Sequence, residues 1–285
     1  MSKSSLILEK ASAFDKLGIV KHEVDRALTE LKDFRQKYPF TENLRSIEWL
    51  DPDKLFKVNP DEIGEFFRTL EGYLKPLGYQ TSNSSNVFRN TRLQISDFKG
   101  LLRIVVDDRK SLAQKVDARW ERIGGFGQDR QLPLKIIFSF NYENGNVLPI
   151  FNIKHLKHFV SRTVDVSSGQ TKYFSFGQEY ELYTNELLKA KNELAITKDW
   201  SALYFTRFLY QTFPPPDVES TSQEVGKKGV VTDEQLDLQG FMKMLGELQK
   251  QGKITGEHFR ENRSLWMQQP AERASLAERL KRLLT

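Results

Sequence analysis

The sequence contains no cysteine among its 285 residues. Without cysteine the chain can form neither a disulfide framework, nor a thiolate nucleophile, nor a cysteine-ligated zinc site. Proteins of reducing compartments are typically free of disulfides, so we expect the protein to be cytoplasmic.

Long apolar runs are missing as well. No segment approaches the roughly 18 consecutive apolar residues of a membrane-spanning helix, and the N-terminal residues lack the apolar stretch of a signal peptide. We therefore expect a soluble protein with no membrane partner. Apolar residues still make up 39% of the sequence and include 20 phenylalanines, so the chain can bury a sizeable core.

The apolar residues that are present repeat with helical periodicity. They recur at intervals of three and four residues through the segments 13–37, 63–74, 152–160, 177–194 and 200–213. Asp51-Pro52 and Asn59-Pro60 each predict a helix start, because a polar cap precedes a proline at the first helical position. The β-branched run at 104–106 leaves a strand open, but the longer window 98–112 favours a helix. A further helix is expected to begin after a cap at Ser111 and to end at Gly124. The predicted fold class is mostly α: a multi-helix globular domain with at most a few short strands.

The composition changes after residue 213. Three successive prolines begin the stretch 214–232, which has little to bury and is typical of a linker. It joins a main helical domain, residues 1–213, to a small helical tail, residues 233–285. The tail is too short to bury much core alone, so we expect its helices to dock on the main domain or on another subunit.

Basic residues are concentrated between Asn86 and Lys135. Eleven lysines and arginines face six acidic residues there, and the excess of five equals the net charge of the whole chain, +5. Concentrated positive charge is expected where a protein contacts phosphates, although solvated helix faces explain it equally well. The basic residues that we predict to contact nucleic acid are Arg89, Arg92, Arg103, Arg119, Arg122, Arg130 and Lys135, together with Lys154 and Lys157 on a second basic helix face.

The glycine cluster Gly124–Gly127 lies inside this window. A glycine lets backbone amides approach a phosphate oxygen because it has no Cβ, so Gly125 and Gly127 are candidate phosphate contacts. The alternative is a helix C-cap followed by a tight turn. We favour the turn, because short glycine patterns are common and Pro133 removes one amide from the helix that would follow.

Metal and catalytic sites have little support in the sequence. His155 and His158 share a helix face, but no carboxylate within a turn joins them, so neither a metal site nor a cofactor is predicted. Asp108-Arg109-Lys110 has the Asp-x-Lys spacing of Mg²⁺-dependent nucleases, which place this motif on a strand. A helix end followed by a turn is the favoured alternative, and no catalytic residue is predicted.

Several stretches in a fixed order resemble one known family. They include "FRQKYPFTENLRSIEWLDPDKLF", "LLRIVVDDRKSLAQKVDARWERIGGFG" and "LKIIFSFNYENGNVLPIFNIKHLKHF". The series is similar to the region that precedes the motor domain in AAA+ restriction proteins of the McrB type, over about residues 30–216. The resemblance implies DNA recognition. No Walker motif follows Pro216, so we expect no motor activity.

Three functions fit these features of the sequence. The first is a non-enzymatic, DNA-associated recognition or accessory module of a restriction or defence system. The second is a protein–protein adaptor that binds a partner, or a second copy, through its C-terminal helices. The third is an Mg²⁺-dependent nuclease.

Overall fold

The computed structural model describes residues 3–73, 85–127, 130–164, 173–216 and 238–268, together with Leu276, Leu280 and Leu283. The chain divides into two compact units, Met1–Gln223 and Glu224–Thr285. Most of the predicted linker, and with it the predicted boundary of the tail, lies outside the described residues.

The described part of the first unit is helical apart from one small sheet, which confirms the predicted fold class. Two strands, β1 (Phe56–Lys57) and β2 (Glu62–Ile63), pair antiparallel. The α-helices are α1 (Lys3–Ala13), α2 (Ile19–Lys37), α3 (Pro52–Leu55), α4 (Glu65–Tyr73), α5 (Ser85–Leu93), α6 (Ile95–Val106), α7 (Leu112–Val116), α8 (Gln131–Asn141), α9 (Ile153–Thr163), α10 (Phe176–Glu193) and α11 (Ala202–Thr212).

Side-chain caps fix where several helices begin. Ser111 and Gln114 form a capping box at the start of α7, and the side chain of Ser201 accepts from the Tyr204 amide at the start of α11. Asp15 lies before α2 and accepts from the amides of Val20 and Lys21 at 2.9 and 2.7 Å. Each cap satisfies an amide that the first helical turn leaves without an internal partner.

Helix α8 lies at the centre of the first unit. Every residue from Leu132 to Asn141 is buried, and the helix packs against α2, α4, α6 and α7. Aromatic rings fill the space around it: Phe34 contacts Phe140 with ring centroids 5.6 Å apart, and Phe66 lies 5.3 Å from Phe34. An apolar helix buried on all sides shows no single apolar face, which is why its periodicity alone is uninformative.

Two buried polar residues of α8, Lys135 and Asn141, have hydrogen-bond partners. The Lys135 amine donates to the Glu71 carboxylate at 2.9 Å. At the other end of the helix, the buried Lys115 amine donates to the Asn141 side-chain oxygen at 2.6 Å, and the Asn141 amide donates to the carbonyl of Val105 at 3.1 Å. Burial lowers the pKa of Lys115, against the opposing effect of two nearby aspartates.

Two local predictions need correction. Asn59-Pro60 does not begin a helix: it lies in the turn between β1 and β2, and the next helix begins at Glu65. The helix that begins after Ser111 ends at Val116 instead of running to Gly124, and residues 120–122 form a separate 3₁₀ turn. The helix favoured over a strand in the window 98–112 is confirmed as α6 up to Val106, where α6 ends before a turn, and the helix start at Asp51-Pro52 is confirmed as α3.

The second unit has its own core. Its described helices are α12 (Leu238–Lys250) and α13 (Gly256–Gln268), and the turn between them contains Gly252 in the left-handed region at φ 69°. The buried side chains of this core are Phe241, Met244, Leu245, Leu248, Ile254, Leu276 and Leu280.

Candidate nucleic-acid interface

The glycine turn packs tightly against α5. The Asn90 side-chain amide donates to the Gly124 carbonyl at 2.9 Å, and the Gly124 amide donates to Gln94 Oε1 at 3.2 Å. Gly125 has φ 97°, and a Cβ built on it would lie 2.5 Å from Val87 Cγ2. A Cβ on Gly127 would lie 3.0 Å from the Cβ of Glu121. Backbone conformation and crowding therefore account for these glycines without a ligand.

The two arginines of α5 fasten it to the β-hairpin and to α3. Arg89 pairs with Asp61, and its guanidinium lies 5.4 Å from the ring centroid of Phe56. Arg92 pairs with Asp53 and donates to the Phe56 carbonyl at 2.8 Å. Each arginine also makes a second contact with Phe56, through its ring or its carbonyl, so the packing of α5 against the hairpin accounts for both positions.

The arginines near the glycine turn differ in their surroundings. Arg130 donates to Asp117 at 3.0 Å and lies 4.9 Å from the ring centroid of Phe176, so it holds the start of α10. Arg122 is half-exposed and reaches Asp97 at 3.5 Å. Arg119 is exposed and forms no ion pair with any residue that the structure describes.

The three predicted lysines are also dissimilar. Lys135 is 0% exposed, so it cannot contribute to a surface, and its assignment as a phosphate contact is corrected. Lys157 pairs with Glu179 at 2.7 Å, and its amine lies 5.9 Å from the ring centroid of Tyr183. Lys154 is exposed, and the described residues contain no ion-pair partner for it.

The most conspicuous surface lies beside Arg103 and centres on a residue that the sequence reasoning missed. Trp49 is 74% exposed, and Leu44 in the preceding 3₁₀ turn is exposed as well. From α6, the Lys99 amine donates to the Glu48 carbonyl at 2.6 Å, and Arg103 pairs with the Glu48 carboxylate. We call the side chains of Leu44, Arg45, Trp49, Lys99 and Arg103 the Trp49 surface.

The Trp49 surface is electropositive as well as aromatic. Arg103 pairs with the Glu48 carboxylate, whereas Lys99 bonds to the neutral Glu48 carbonyl and has no ion-pair partner among the described residues. Arg45 is exposed, and the described residues provide no carboxylate for it. The sequence contained a signal for this site. Ile47 and Leu50 are three residues apart, a spacing that places them on one apolar face and leaves Trp49 off it. In the structure both Ile47 and Leu50 are buried.

The residues considered for metal binding or nuclease chemistry have structural roles. His155 bonds to the Tyr210 hydroxyl at 2.9 Å and His158 to the Phe213 carbonyl at 3.1 Å, so both join α9 to the end of α11. Asp108-Arg109-Lys110 lies in the turn after α6 and not on a strand. Within the described ranges, no group of three or more acidic or histidine side chains could hold a metal ion.

None of the described helices is both long enough and apolar enough to cross a membrane. No protein-family model matches the chain, and no curated protein and no solved structure shows a significant similarity to it.

Proposed function

We propose that the protein is a non-enzymatic DNA-binding module that uses the Trp49 surface. The observation that supports this proposal is an exposed indole with two basic side chains of α6 bonded to the residue before it. Half-exposed cations can exchange a weak surface ion pair for a phosphate, because such pairs contribute only about 0–1 kcal/mol. The setting in a restriction or defence system rests on the sequence resemblance alone.

A salt titration tests the proposal. With Arg45, Lys99 and Arg103 each contacting one phosphate, the logarithm of the duplex association constant should fall with the logarithm of salt at a slope of about −2.7. The double variant Lys99→Gln/Arg103→Gln should make this slope shallower by about 1.8. No detectable binding at about 50 mM salt would refute the proposal.

A matched control separates this surface from general charge. Arg26 lies on α2, is well exposed and has only a weak contact with Glu30 at 3.7 Å. Arg26→Gln removes the same charge from the same unit, so it should leave the salt slope unchanged. An equal loss from Arg26→Gln would mean that binding depends on net charge and not on the Trp49 surface.

The adaptor function is the second candidate, and the separate core of the second unit favours it. A unit with its own core can present helices to a partner or to a second copy. Light scattering of the full chain over a range of concentrations tests self-association. If the mass stays that of a monomer at every concentration, self-association is excluded, and an adaptor could act only by binding a different protein.

A further inference from the structure

We propose that the Trp49 surface binds single-stranded nucleic acid, with an unpaired base stacked on the Trp49 indole and the flanking phosphates held by Lys99 and Arg103. This inference rests on the proposed function, and it names the form of nucleic acid that the surface fits. Three features of the structure support it: an exposed indole on an anchored turn, two basic side chains bonded to the preceding residue, and a glycine between those two basic residues on α6.

The indole protrudes from a turn that is anchored on both sides. Ile47 and Leu50 are buried, and the amides of Trp49 and Leu50 donate to the carbonyls of Ser46 and Ile47 at 3.2 Å. The backbone under Trp49 is therefore held in place while its ring stays in solvent. A base that stacks on the indole buries apolar surface, which favours binding. No loop has to become ordered first, so less conformational entropy is lost on binding.

Both cations are held at Glu48, the residue before Trp49, so we expect them to reach the phosphates that flank a stacked base. Lys99 and Arg103 are four residues apart and therefore share one face of α6. Combining an aromatic face with adjacent basic groups is how proteins bind single strands without reading sequence.

Gly100 lies between these two basic residues on α6. Its φ is not positive, so the backbone conformation does not require a glycine. A Cβ built on it would meet nothing within 4 Å, so close packing does not require one either. A glycine inside a helix costs about 1 kcal/mol relative to alanine. We assign it to the approach of a strand, because an absent Cβ lets a ligand backbone lie close to the helix.

The geometry favours a single strand over a duplex because of what each form exposes. In a duplex the faces of the bases are covered by stacking, and only their edges are accessible in the grooves. The Trp49 surface offers a ring face, and two of its charged groups have long flexible stems. An unpaired base presents its whole face, and every base has one, so the binding should be tolerant of sequence.

Fluorescence anisotropy with labelled oligonucleotides of about 12 nucleotides tests the inference, using oligothymidylate, oligouridylate and a duplex of the same length. Trp49→Ala should weaken binding of the single strands about 5- to 150-fold, which is the range expected for one lost base–aromatic stack. It should leave duplex affinity within about twofold, since stacking does not contribute there. Trp49→Phe should restore most of the loss, because a smaller ring still stacks. Tighter binding of oligothymidylate and tighter binding of oligouridylate would support the inference equally, and the preferred one shows whether the ligand is DNA or RNA.

Two measurements keep the result interpretable. Trp49 is exposed, so thermal melts of Trp49→Ala should match the unsubstituted protein, which excludes misfolding as the cause. Binding of oligothymidylate should also quench tryptophan fluorescence, and Trp49→Phe should reduce this quenching, because Trp49 is well exposed whereas Trp120 is fully buried and Trp200 is partly buried against the core.

The outcomes separate this inference from the function on which it rests. If Trp49→Ala weakens single-strand and duplex binding by the same factor, or affects neither, the single-strand inference is wrong and the DNA-binding proposal stands. If neither form binds, both are wrong. A polyglutamate peptide that quenches Trp49 more strongly than the oligonucleotides, at equal concentration, would overturn the inference in favour of an acidic protein partner.

Discussion

Gly125→Ala tests whether the glycine turn serves the fold or a ligand. Gly125 has φ 97°, a conformation that costs a residue with a side chain on the order of 1–3 kcal/mol. The added Cβ would also lie 2.5 Å from Val87 Cγ2. Val87 is buried and β-branched, so it can move little, and overpacking of this kind costs about 1–3 kcal/mol. The free energy of unfolding should therefore fall by about 2–6 kcal/mol.

Gly145→Ala is the matched control for this experiment. Gly145 has φ 68°, but a Cβ there would meet nothing within 4 Å, so the substitution adds the backbone cost without the crowding. Circular dichroism melts of both variants should show a clearly larger loss of Tm for Gly125→Ala. At a temperature where both are folded, their DNA affinities should equal that of the unsubstituted protein. A Gly125→Ala variant that melts normally but loses DNA binding would refute the packing explanation and restore the phosphate contact.

Three further predictions concern stability. Gly100→Ala should raise the free energy of unfolding by about 0.5–1 kcal/mol, measured by urea denaturation, because the added methyl group has space and favours the helix. Glu71→Ala should lower it by about 3–5 kcal/mol, because Lys135 loses the carboxylate that offsets its buried charge; a loss below 1 kcal/mol would contradict this. Asp15→Ala should cost about 1 kcal/mol at pH 7 through the lost cap of α2. Burial raises the pKa of Asp15, but hydrogen bonds from Val20 and Lys21 outweigh it and hold this pKa below its ordinary value of 3.8. Because the pKa of Asp15 is lower in the folded than in the unfolded protein, its carboxylate stabilises the folded state above pH 3.8, and this stabilisation is lost as the pH falls below that value. The difference in Tm between Asp15→Ala and the unsubstituted protein should therefore shrink as the pH falls below 3.8.

Much of the fold could be predicted from the sequence, because amphipathic helices carry their apolar spacing with them. The exceptions have physical reasons. Asn59-Pro60 has the composition of a helix start, but pairing of Phe56 with Ile63 closes a hairpin around it. This pairing is a contact between segments, and local composition does not encode it.

The candidate site was harder to predict, because a count of charges along the sequence does not show which basic residues pair with acidic residues from distant segments. Arg89 and Arg92 pair with Asp61 and Asp53, and both carboxylates lie outside the basic window that suggested a phosphate surface. Lys135 counted as a surface cation although it is buried beside Glu71. Trp49 contributed nothing to a charge count, yet Lys99 and Arg103 both bond to the residue that precedes it.

The complete burial of α8 has a consequence for hydrogen–deuterium exchange. Its amides are protected both by the helix and by the surrounding helices, so no local opening can admit water to the middle of α8. Exchange there should require the whole first unit to unfold. The slowest-exchanging amides should therefore belong to residues 135–141. Their exchange rate should measure the stability of the first unit, whereas amides at the ends of exposed helices exchange rapidly through local fraying.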